Sequence, residues 1–182
     1  VTVGASEAVD MALRTICGPG DEVIIPEPCY VSYKPCVRLT GAEPVAVPTY
    51  FKDEFKLTPE ILESYITPKT KAIVLSYPNN PTGAVLTREE LAAISKVIIK
   101  YNLVVVSDEI YGELTYEGTH TCIAGLPEMR DRTILISGMS KAFAMTGWRI
   151  GYVAAHEDFI KNMVKIHQYT MLCAPIMGQK AA

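Results

Sequence analysis

Lys141 follows an apolar run, TILI, within the stretch SGMSKAFAMTGWRIGY (137–152), and Arg149 comes eight residues later. A lysine partly withdrawn from water and near another cation gives up its proton more readily, and its free amine can form a Schiff base with an aldehyde. A guanidinium suits two-pronged binding of a phosphate. On a continuous helix these two cations would stand about 12 Å apart at roughly 1.5 Å rise per residue. Both reach one small ligand only if the chain turns, and Thr146-Gly147 is a place for that turn. Without further context, a lysine and an arginine after a strand read as solvated charges.

Other chemistries lack their signatures. There is no G-x-x-x-x-G-K-[ST], and Gly18-Pro19-Gly20 is not followed by a third glycine at dinucleotide spacing. His120, His156 and His167 are scattered without an H-E-x-x-H, so no metal site is expected. No G-x-S-x-G elbow accompanies them. A net charge of −3 without a Lys/Arg block leaves no electrostatic footprint for nucleic acid or an anionic membrane. Small molecules or another subunit are the expected partners. Five cysteines, odd in number and without a C-x-x-C pair, point to a reduced, cytoplasmic compartment. No apolar run is long enough to cross a bilayer.

The elements that must carry Lys141 and Arg149 are legible around them. AIVLS (72–76), LVVVS (103–107) and TILIS (133–137) are apolar at consecutive positions, the pattern of strands buried on both faces. Between the first two, TREELAAISKVIIKY opens with a capping box, Thr87 to Glu90, and repeats Leu91, Ile94 and Ile98 at helical spacing. That is a β-α-β unit. SEAVDMALRTIC (6–17) reads as a helix ending at Gly18, EVII as a strand, GYVAA as a possible strand, and 158–172 as a helix. The fold class is α/β, one unit over 1–182 with a mostly parallel sheet flanked by helices on both faces. Ligands of such sheets gather beyond the carboxyl ends of the strands, here YPNNPTG, DEIY and GMSK. VTVGASEAVD reads as a strand already in progress and MGQKAA as an interrupted helix, the expectation for a piece of a longer protein.

SKAFAMTGWRIGY, with YPNNPTG and SDEIYGEL upstream in the same order, resembles the class I/II pyridoxal-phosphate aminotransferases of fold-type I. The likeness runs from VTVGASEAV to the end of the chain. It implies that 1–182 is the cofactor-binding large domain, without the N-terminal segment and C-terminal small domain of that family. It also implies that Lys141 holds pyridoxal 5′-phosphate as a Schiff base and then moves the proton at the substrate Cα. Arg149 would hold the phosphate. Asp108, which by itself could be a capping carboxylate, would pair with the pyridinium nitrogen. Tyr111, three residues on and on the same side if a helical turn forms, would reach the phenolic oxygen.

The same resemblance gives Asn80, rather than Asn79, the donation to that oxygen, although Asn-Pro is also ordinary turn chemistry. Gly4, Ala5 and Ser6 open a helix whose free N–H groups make an anion site, while Ser6 could equally be its N-cap. Ser140 is a further phosphate candidate or turn filler; some relatives carry the hydroxyl where this chain has Gly138. Tyr30, in PEPCYVSY, fits the aromatic stacked on the cofactor ring, and Tyr33 is expected to pack. The implied reaction transfers an amino group between an L-amino acid and a 2-oxo acid, in a homodimer. A carbon–sulfur β-lyase, an aminocyclopropane-carboxylate synthase and a non-catalytic ligand-binding or regulatory module of this fold are the alternatives. The 182 residues alone are expected to transaminate poorly or not at all.

Overall fold

Strands apolar at every position need cover on both faces, and the computed structural model, which describes residues 1–182, supplies it. Seven strands form one sheet: β1 (Thr2–Val3), β2 (Glu22–Glu27), β3 (Glu43–Pro48), β4 (Thr70–Leu75), β5 (Val104–Asp108), β6 (Thr133–Gly138) and β7 (Ile150–Ala154). Their spatial order is β1-β7-β6-β5-β4-β2-β3. Strands β2 to β6 pair in parallel, and β7 runs antiparallel to β6 and β1. The sheet is the mostly parallel α/β sheet expected from the apolar runs.

Alternate residues of each strand enter opposite cores. Val23, Ile25, Ala72, Val74 and Val106 pack beneath α1 (Gly4–Ile16), α2 (Tyr33–Leu39) and α5 (Glu157–Thr170). Ile24, Ile73, Leu75 and Val105 pack beneath α3 (Pro59–Ser64) and α4 (Arg88–Lys100). A final short helix, α6 (Ile176–Ala181), lays Gly178 against Ile150. Burying a Leu or Ile side chain contributes about 1.5–3 kcal/mol, so both faces of the central strands hold the sheet in register.

Local signals set where the helices start. The Thr87 hydroxyl accepts from the Glu90 N–H at 3.2 Å, and the Glu90 carboxylate accepts from the Thr87 N–H at 2.7 Å, completing the expected capping box of α4. Helix α1 departs from expectation. It begins at Gly4, two residues before the 6–17 read from the apolar pattern, so Ser6 lies within the first turn and is not the N-cap. Gly4, at φ +75°, turns the chain straight out of β1 into the helix. The Glu7 carboxylate then accepts the Val3 N–H at 2.5 Å, and no side chain caps the amides of the first turn. Glu7 also contacts His167 Nδ1 at 2.9 Å, which ties the start of α1 to α5.

From β2 the chain moves outward to β3, and from β4 it moves the other way through β5 to β6. The connections leaving β2 and β4 therefore diverge, and such a switch point opens a crevice at the strand carboxyl ends.

Candidate functional site

That crevice is a cavity of about 300 Å³, and Ala5, Ser6, Tyr30, Asn80, Asp108, Tyr111, Ser140, Lys141 and Arg149 all line it. Gly4 lies at its edge against the Arg149 guanidinium. A Cβ added there would come within 2.2 Å of an Arg149 Nη atom, so only a glycine admits the arginine in this position. Every residue singled out in the sequence is thus brought to one place.

The deep wall is made at the ends of β2 and β5. Asp108 is buried, with its Oδ2 accepting from the Tyr33 hydroxyl at 2.7 Å and its Oδ1 from the Ile110 N–H at 3.2 Å. The second contact closes a local turn after β5; no helix starts at Asp108, so it does not take the helix-capping role open to it from sequence. Burial pushes the Asp108 carboxyl above the usual carboxylate range; the Tyr33 and Ile110 donors offset part of that, and the nearby Glu109 adds to it. The Tyr33 phenol is also raised well above its ordinary value, by burial and then by Asp108, so the shared proton stays on Tyr33.

Tyr33 does more than pack, contrary to expectation: it holds the carboxylate. Its ring meets Tyr30 edge-on, with centroids 5.6 Å apart at 77°. The signal was the Tyr-x-x-Tyr spacing of PEPCYVSY, which places both rings on one side as the chain enters α2.

Asn79 and Asn80 divide between turn and cavity. Asn79 Oδ1 accepts from the Thr82 N–H at 3.2 Å and the Thr82 hydroxyl at 2.9 Å, while Asn80 faces the cavity. Tyr111 sits in the turn after β5, where the Gly112 N–H reaches the Glu109 carbonyl at 2.9 Å. That turn puts Asp108 and Tyr111 on the same side, as their spacing suggested.

The outer wall is the 139–149 segment. The chain turns through Ala144 (φ +53°) and the short 3-10 turn Thr146–Trp148 to Arg149 (φ +56°), which brings Arg149 back toward Lys141. Arg149 also donates to the Thr146 carbonyl at 2.9 Å, fixing its fork beside the start of α1. Lys141 is exposed, rather than partly withdrawn from water, because it stands on this outer turn. Its ammonium lies 5.7 Å from the Tyr111 ring centroid. Ser140 is buried beside it. Position 138 has no room for a side chain, since a Cβ there would come within 2.7 Å of the Ile150 carbonyl oxygen.

An amine, a buried carboxylate, a phenol, an amide and a guanidinium at a helix start can together hold a ligand with an aldehyde, a basic ring nitrogen and a phosphate. Known proteins share this arrangement of sequence and fold. The family model for aminotransferase class I and II matches residues 1–182. The chain is 54% identical over 182 residues to the "Putative aminotransferase YugH" of Bacillus subtilis (strain 168), covering all of this chain and 47% of that one. It is 45% identical over 183 residues to aromatic-amino-acid aminotransferase 2 of Thermococcus litoralis, again covering 100% of this chain and 47% of the relative. The crystal structure of the aromatic aminotransferase from Pyrococcus horikoshii OT3 superposes with a TM-score of 0.97 at 45% identity, over 99% of this chain and 48% of that one. The chain spans about half the length of the curated relatives it matches. With strand order, cavity and motifs in agreement along its whole length, this chain belongs to the class I and II aminotransferase family.

Proposed function

We propose that residues 1–182 are the cofactor-binding large domain of an aminotransferase that moves an amino group between an L-amino acid and a 2-oxo acid with pyridoxal 5′-phosphate. The observation that carries this reading is the convergence of Lys141, Asp108 and a glycine-cradled Arg149 on one cavity of about 300 Å³. The residues present fit the cofactor: a buried carboxylate with a raised pKa suits a cationic ring nitrogen, and the Gly4 cradle aims a guanidinium beside free helix amides. When bound, the cofactor supplies an aldehyde and an electron-accepting ring.

Arg149, the N–H groups of Ala5 and Ser6, and the Ser140 hydroxyl bind the phosphate. Asp108, oriented by Tyr33, holds the proton on the ring nitrogen. Tyr111 and Asn80 donate to the phenolic oxygen, and Tyr30 covers the ring. Lys141 would hold the cofactor through its amine at the aldehyde, and the freed amine would carry the proton at the substrate Cα. A homodimer is supported by the exposed apolar side chains of Phe51, Tyr169, Leu172 and Met177. A cytoplasmic setting is supported by five free cysteines.

Borohydride reduction of the full-length protein loaded with pyridoxal phosphate tests the covalent role. The expected result is a pyridoxyl adduct on the peptide containing Lys141, and a map with that peptide unmodified overturns the assignment. Pyridoxamine phosphate formed from an amino donor supports transfer, whereas ammonia and pyruvate released from a sulfur amino acid would mark a lyase.

A further inference from the structure

Asp108 and Glu109 are neighbours at the end of β5, and successive side chains there leave on opposite sides of the sheet. Asp108 enters the cavity that holds Lys141, while Glu109 enters a separate cavity of about 650 Å³. Glu109 is buried, and a buried carboxylate without partners is costly. Its Oε1 accepts from the Ser107 hydroxyl at 2.9 Å, and its Oε2 meets His120 Nε2.

The His120 ring lies over Gly112, where a Cβ would come within 3.0 Å of Cδ2. Eleven positions apart, Glu109 and His120 close the base of a loop, and that loop carries Tyr111. The hydrogen bond to Glu109 raises the His120 pKa; burial opposes this, and the charges of Glu109 and Glu113 reinforce it. Arg88 and Glu117 line the same cavity with opposite charges. Burial and Glu109 push the Cys122 thiol up to about 11, so it stays neutral there. Tyr152 closes the side near Glu113.

We propose that Glu109 and His120 are a positioning pair: their contact fixes the loop bearing Tyr111, and a protonated His120 sets a cation against the carboxylate behind Asp108. Neither side chain lines the cofactor cavity, and the pair acts through Tyr111 and Asp108. It rests on the pyridoxal phosphate reading above.

The test is the pH titration of the bound cofactor's visible absorbance in the full-length protein. His120→Gln keeps a donor but leaves the Glu109 charge uncancelled, which favours the protonated cofactor. The absorbance midpoint should rise by roughly half a pH unit. Adding Glu109→Gln in the same protein removes the surplus charge, and the midpoint should return to the wild-type value. A role in folding alone would not reverse on the second substitution. An unshifted midpoint in the single variant, or a shift that persists in the double variant, overturns the pair. If either variant fails to fold, the His120 imidazole resonances of the unmodified apo-protein decide: a midpoint above 6.5 supports the pair, and one at or below it overturns it. Wild-type protein with no cofactor absorbance overturns both the pair and the reading it rests on.

Discussion

Asp108 and Lys141 face one cavity from adjacent strand ends, yet Asp108 is 6% exposed and held by two donors, whereas Lys141 stands exposed on a turn. The carboxylate wall is built from β2 and β5, each packed on both faces. The amine wall is built from a segment that leaves the sheet after β6 and passes through two left-handed residues before rejoining it. In the proposed reaction the carboxylate must keep its place against one ring nitrogen, and the amine must swing between the cofactor and the substrate Cα. A strand end suits the first task and an open turn the second. The difference also has a cost: with no cation beside it, the buried Asp108 charge weakens the fold, and a protonated ring nitrogen would relieve that strain on binding.

The largest separation between the two walls should come from substituting each in turn. Lys141→Ala is expected to lower kcat/KM by about 10⁴-fold or more. Its effect on stability should stay within about 0.5 kcal/mol, as for other exposed side chains. Calorimetry showing a large fall in Tm would break the contrast. Asp108→Asn is expected to lower kcat by about 10²–10³-fold and to raise the Tm of the apo-protein. The sign follows from the raised Asp108 pKa: folding favours the protonated acid, so the wild type loses stability as pH rises from 3.8 through the folded value, and asparagine escapes that loss. A gain of about 1 kcal/mol corresponds to roughly 2–4 °C in a protein of this size. An apo-protein made less stable by the substitution would contradict this account of the deep wall.

The same contrast explains what the sequence made legible. The strands of the deep wall announce themselves, because burial on two faces demands the unbroken apolar runs of β4, β5 and β6. Asp108, Tyr111 and Asn80 stand just past those runs, where ligands gather, and the resemblance gave them their expected roles. Tyr33 did not follow, since a hydrogen bond to Asp108, 75 positions away, depends on α2 meeting the end of β5 in space. That Ser6 is not the N-cap of α1 did not follow either, because the chain turns into the helix at Gly4 with a positive φ, visible only with the backbone angle in hand. On the outer wall the sequence showed where the chain could turn, at Thr146-Gly147. Whether Lys141 would be buried depends on what packs over that turn, which local patterning does not encode.

The smallest expected effect is the most discriminating, because it sets two neighbouring acids against each other. His120 gains its partner on folding, so its folded pKa lies above 6.5. The stability it contributes is fully present below 6.5 and is lost as pH rises through the folded value. Its imidazole is a quarter exposed, at 25%, which limits that contribution to about 1 kcal/mol or less. The Tm of His120→Gln should therefore lie below wild type by at most roughly 2–4 °C near pH 6, and the gap should narrow as pH rises. For Asp108→Asn the gap has the other sign and widens as pH rises through the folded pKa of the acid it replaces. Parallel melting series of the two apo-variants from pH 4 upward would measure both. Gaps of opposite sign, His120→Gln below wild type and Asp108→Asn above it, would show that Glu109, just past β5, has its charge paired within the chain while Asp108 leaves its charge for a ligand. Gaps of the same sign would erase that distinction, and with it the argument that Asp108 is buried for binding rather than for the fold.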